Sequence, residues 1–96
     1  VVQETDHNLH PAKEFGDLFV VFTRDDLQRG HEHMIDKLSR VMTKIQPWDF
    51  ILPIGDPVAI GLAITVALKK TDGKISVLKW NKQRWKYDQE DISVKL

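Results

Sequence analysis

Residues 48–68, WDFILPIGDPVAIGLAITVAL, constrain what this chain can fold into more than any other stretch. A short apolar run (Phe50, Ile51, Leu52, Ile54) meets Gly55-Asp56-Pro57, and a second apolar run continues to Leu68. An Asp carboxylate accepts the free N–H groups of a first helical turn. A proline directly after it loses nothing, because its missing N–H has no helical acceptor there. The stretch predicts a buried strand, a tight turn and a helix over about 57–70, capped by Asp56. That helix is apolar nearly all round, which implies cover on more than one side. Ala59, Ala63 and Ala67 make a ridge of small side chains along it, suited either to close packing on a sheet or to contact with another subunit.

The remaining chain supplies the partners such a unit needs. Residues 1–16 lack periodicity and read as an extended arm, with a single domain over 17–96. Five consecutive apolar residues, 18–22, predict a first strand buried on both faces, as in a parallel sheet. A helix follows, ending at Pro47, with a stripe formed by Leu27, His31, Met34, Ile35, Leu38, Val41, Met42 and Ile45. Two starts are open for it. Thr23 and Asp26 have the spacing of a capping box, but that start encloses Gly30 at a cost of about 1 kcal/mol relative to Ala; a loop to about residue 28 is the other. A second strand is expected over about 49–54. A third, 74–80, should place Ile75 and Val77 on one face and Leu78 and Trp80 on the other. Residues 81–83 turn into a hairpin, 88–91 read as an acidic loop, and the alternation of Ile92, Val94 and Leu96 suits a terminal strand. Crossovers between parallel strands are right-handed, so the expected architecture is a small α/β, Rossmann-like βαβαβ layer with an appended antiparallel C-terminal hairpin or strand. So short a sheet leaves open edges, which favours self-association.

Composition narrows the function classes. Ninety-six residues form one domain, and the absence of cysteine removes disulfides and thiolate metal sites. No apolar run reaches the roughly 18 residues of a membrane span, and the chain opens without a basic-then-apolar leader, so a cytosolic setting is expected. Net charge is zero but uneven: residues 1–56 carry ten acids and six bases, residues 57–96 four acids and eight bases. Such asymmetry can mark a binding face or promote head-to-tail association.

Several stretches offer candidate sites. Gly55-Asp56-Pro57 resembles a phosphate loop, but Asp56 puts its own carboxylate where an anion would sit, and no P-loop lysine follows. His7, His10, His31 and His33 match no metal-ligand spacing; His31, on the apolar stripe, is expected to be a core histidine. Ser39, Ser76 and Ser93 lie outside any nucleophile elbow. Asp25, Asp26 and Asp56 emerge where α/β sites lie and could together hold Mg²⁺. The strongest chemical signal is KWNKQRWKY, in which Lys79, Lys82, Arg84 and Lys86 interleave with Trp80, Trp85 and Tyr87. Cations offset phosphate charge and rings stack on unpaired bases, so this ribbon could hold nucleic acid. The alternative turns the rings to the core and the cations to water.

Residues 10–94 resemble a family of short proteins encoded by tailed bacteriophages. The resemblance is most specific in GDPVAIGLA (55–63) and LKWNKQRWKY (78–87), supported by Phe15-Gly16 and residues 49–52. It carries over no catalytic residues. What it implies is a phage product made in the host bacterial cytoplasm. The resulting expectation is a non-enzymatic interaction or accessory protein, without cofactor or metal, acting on host or phage machinery through protein contacts and homo-oligomer formation. A nucleic-acid-binding module using residues 79–87, a virion component, and a small-ligand or Mg²⁺-dependent enzyme are the alternatives.

Overall fold

The computed structural model describes residues 1–96. A 3-10 turn, His10–Phe15, leads to α1 (Arg24–Gln28) and α2 (His31–Val41); β1 (Phe50–Ile51), α3 (Pro57–Lys70), β2 (Lys74–Asn81) and β3 (Lys86–Ser93) follow. The fold is mixed α/β, with one three-stranded sheet ordered β1-β2-β3. β1 runs parallel to β2, and β2 antiparallel to β3. The parallel β1–α3–β2 unit is the part that residues 48–80 foretell.

Both openings foreseen for the first helix occur in part. Thr23 caps α1 through a full capping box: its hydroxyl accepts from the Asp26 N–H and the Asp26 carboxylate accepts from the Thr23 N–H. Gly30, at φ 98°, then breaks the helix, a backbone state that L side chains rarely adopt. α2 also stops at Val41, well before Pro47. The Thr43 hydroxyl donates back to the carbonyls of Ser39 and Arg40, closing the end in a turn.

The expected βαβαβ layer does not form, because residues 18–22 do not build a ladder. The N–H groups of the adjacent residues Val21 and Phe22 both donate to the same neighbour, to the carbonyls of Val1 and Val2. A strand needs alternate residues to face alternate sides, so only an isolated parallel bridge, Gln3 with Phe22, is left. The neighbour is the amino-terminal segment itself. Val2 and Gln3 donate onward to the carbonyls of Leu52 and Ile54, so residues 1–4 lie between 19–22 and 52–54. Val2 is 2% exposed and belongs to the main core. Residue 16 is therefore no boundary, and the arm is built into the domain.

Two hydrophobic clusters sit on opposite faces of the sheet. One gathers Phe22, Met34, Leu38, Ile51 and Ile75 around α2 and α3, with Val77 packed against it. The other gathers Ala12, Leu52, Leu78 and Tyr87, with Phe15 and Trp80 alongside, under the 3-10 turn. The facing of Ile75 and Val77 against Leu78 and Trp80 is that expected from their alternation. Ala59, Ala63 and Ala67 are each 0% exposed within the single chain. Their small side chains let α3 lie against the core, so the ridge presents no surface to another subunit. Asp56 accepts from the N–H groups of Val58 and Ala59 at 3.0 and 3.1 Å. Gln3 accepts from the Asp56 N–H at 2.7 Å, and a side chain at Gly55 (φ 126°) would collide with Gln3. No helix is long and apolar enough to cross a membrane.

Candidate functional site

The hairpin built by β2 and β3 is longer than the sequence suggests. Residues 88–91 are not a loop: β3 runs unbroken from Lys86 to Ser93, with Lys79 opposite Asp88 and Trp80 opposite Tyr87. Acidic residues read as a loop signal only because the alternation of apolar side chains lapses there, on a strand whose far side meets water. At the tip, Asn81 organises the turn. Its side-chain oxygen accepts from the N–H groups of Gln83 and Arg84, and its amide donates to Asp88. Trp85 then takes φ 52°, a strained setting for a large side chain.

Strand alternation separates what the sequence interleaves. Trp80 and Tyr87 face one side, whereas Lys79, opposite Asp88, and Lys86, opposite Asn81, face the other. Trp80 packs edge-on against both Tyr87, at 5.0 Å between ring centres, and Trp85, at 6.0 Å. Tyr87 is buried, and desolvation pushes its phenol above the ordinary tyrosine range. Trp85 is 76% exposed. Lys82, Arg84 and Trp85, all exposed, bring cations and an open ring together at the tip.

Beside these rings lies a groove of about 730 Å³. β1 pairs with β2 only as far as Ile51, and residues 52–54 then veer off to the amino-terminal segment. The carboxyl end of β2 is left without a neighbour on that side. Leu52, Pro53 and Ile54 form one wall, Leu78, Trp80, Trp85 and Tyr87 the other, and His7 and Asn8 lie at its rim. Ligands of open α/β sheets sit beyond the carboxyl ends of parallel strands, and this groove has that position. The sequence marks the rings; it does not show that residues 52–54 diverge to make room beside them.

The remaining candidates disperse. No three His, Cys, Asp or Glu side chains come together. Asp25 is exposed, Asp56 is occupied by its cap, and Asp26 is buried. His31 is exposed rather than part of the core, because the helix begins at it. The cluster that does form was not foreseen. The Asp26 carboxylate accepts from His33 Nε2 and Lys37 Nζ, both at 2.7 Å, besides the Thr23 N–H and hydroxyl. These donors, His33 foremost and then Lys37, hold its carboxyl well below the usual carboxylate range. The i,i+4 spacing of His33 and Lys37 was the visible signal; the fold of α1 onto α2 at Gly30 was not. Asp91 is likewise lowered, by hydrogen bonds from Gln89 and Ser76.

Fold and groove together define a small mixed α/β domain with an aromatic-walled surface groove. The chain belongs to the Phage Pam3 gp32-like protein family, whose model matches residues 1–94. No curated protein and no solved structure matches it.

Proposed function

We propose that this phage-family protein is a non-enzymatic interaction or accessory protein, acting on host or phage machinery in the host cytoplasm through self-association and protein contacts. The observation that carries this reading is the groove. It is a mostly apolar concavity with an exposed tryptophan on its lip, next to a strand end that lacks a neighbour. Aromatic anchors beside a desolvated pocket are the usual centre of protein interfaces. A photo-crosslinking side chain at position 85, used in infected-cell lysate with and without nuclease, tests it. Nuclease-resistant protein adducts are expected, and their loss in a Leu52→Glu variant that still folds would locate them to the groove. Absence of such adducts would overturn the reading.

A second reading, nucleic-acid binding, draws on one feature: Lys82, Arg84 and Trp85 share the hairpin tip. Single-strand affinity that falls steeply with salt and vanishes in Trp85→Ala/Arg84→Ala would favour it. Segregation of Lys79 and Lys86 from Trp80 and Tyr87 weighs against it.

A further inference from the structure

β2 keeps a free edge where the groove begins. The Val94 N–H donates to the Gly73 carbonyl at 2.7 Å, and these two residues continue the register of β2 with β3. Hydrogen-bonded pairs alternate along an antiparallel ladder, so Ile75, Val77, Lys79 and Asn81 bond across to β3. Ser76, Leu78 and Trp80 turn their N–H and C=O groups to the other side. β1 meets that side only through Phe50 and Ile51, opposite Ser76 and Val77. Nothing in the chain takes its place further on: the backbone bonds of residues 52–54 go to one another and to Val2 and Gln3. Pro53 stands where the next donor to the Leu78 carbonyl would be, and proline has no N–H to give. The N–H and C=O of Trp80 and the C=O of Leu78 therefore face the groove without a partner.

The groove also reaches both faces of the sheet around this edge. Leu78, Trp80 and Tyr87 line it from one face, and Val77, Lys79 and Glu90 from the other. A helix presents one stripe of side chains to one surface, whereas an extended chain laid along the edge sends alternate side chains to both faces. We propose that an extended segment of a partner protein adds to β2 here as a strand, with apolar side chains on the Trp80 face and an acidic one beside Lys79. The proposal rests on the groove being a protein-contact surface, and names the mode of contact and the chemistry of the partner. Charge sets that chemistry. The acids in the ion pairs of the chain are Asp26 and Asp36, so Lys79, Lys82 and Arg84, all exposed at this end of the hairpin, have none. Glu90 shares the face of Lys79, but it stands on β3, one strand further from the added chain. The free stretch, residues 78–81, has room for about four residues of an added strand at roughly 3.3 Å each. Main-chain bonds then supply affinity, and the side chains on the two faces supply specificity.

Selection from a random library of peptides about ten residues long, on the full chain, tests this. Enriched peptides are expected to alternate apolar and acidic residues over roughly four positions. In a synthetic peptide of the enriched sequence, N-methylation should weaken binding about tenfold at alternate positions and little in between, because only every second N–H faces β2. Amide exchange at Trp80 should slow at least about tenfold in the saturated complex. Lys79→Glu should weaken the same peptide about fivefold and shift a repeat selection from acidic to basic residues. Unchanged circular dichroism shows that the variant is folded. A methylation scan without the two-residue period, or Trp80 exchange that stays the same, would overturn strand addition. A selection unaltered by Lys79→Glu would overturn the acidic assignment. No enriched peptide, with nuclease-resistant adducts still formed at position 85, would overturn strand addition and leave protein contact at the groove standing. Loss of both would overturn both.

Discussion

Asp26 and Asp56 stand at the starts of two helices and bond backbone N–H groups there, yet they serve different ends. Asp56 is exposed and accepts two N–H groups of its own α3. Asp26 is 6% exposed, closes the capping box of α1, and also reaches His33 and Lys37 on α2. The Asp56 carboxylate starts one helix; the Asp26 carboxylate ties two helices across the break at Gly30. The difference teaches that a cap becomes a tertiary contact when the chain folds back over it and removes water from it.

Removing each carboxylate breaks or sharpens that contrast. Asp26→Ala should cost roughly 3 kcal/mol in urea unfolding, because the Lys37 ammonium, the His33 ring nitrogen and the α1 cap are left unmatched. Acid should act on the same group. Its folded-state carboxyl lies below the ordinary range, so the unfolded chain binds a proton first as pH falls. The stabilisation is complete above about pH 5 and is lost as pH drops through the ordinary carboxylate range towards the lowered folded value, an effect on the order of 2 kcal/mol. Melting temperature should therefore fall between about pH 5 and pH 2, and Asp26→Asn should flatten that slope. A smaller effect, roughly 1 kcal/mol, is expected for Asp56→Ala, and only a few tenths for Asp56→Asn, which can still cap. Least of all, Arg40→Ala should change stability by about 0.3 kcal/mol, since the Arg40–Asp36 pair spans 3.4 Å on an exposed helix face. Equal losses at Asp26 and Asp56 would mean that the link between α1 and α2 adds nothing beyond a local cap.

The same contrast explains what was legible in the sequence. The bounds of α3 and its cap could be read because Asp56, Pro57 and the apolar run lie within a few residues of one another. Ile75 and Leu78 could be assigned to opposite faces because alternation is also local. Residues 18–22 looked like a buried strand because nothing in them shows that Val1 and Val2 would occupy the neighbouring position. His31 looked like core because Gly30 was read through rather than as the break. In the candidate site, the rings and cations of 79–87 were visible as chemistry. Their separation onto two faces, and the space opened by residues 52–54, depend on pairings with distant segments.

The placement of residues 1–4 bears on how the chain acquires its structure. Val2 is held by Phe22 and Leu52, so its site does not exist until segments about twenty and fifty positions further along have been made and brought together. Closing such loops is slow compared with forming a local helix. During synthesis residues 1–4 precede both of those segments, so Val1 and Val2 stay open to water and to other chains until the later ones are made. The helices α2 and α3 can associate before it docks. Its insertion joins the irregular segment 19–22 to the end of β1 and completes the main core.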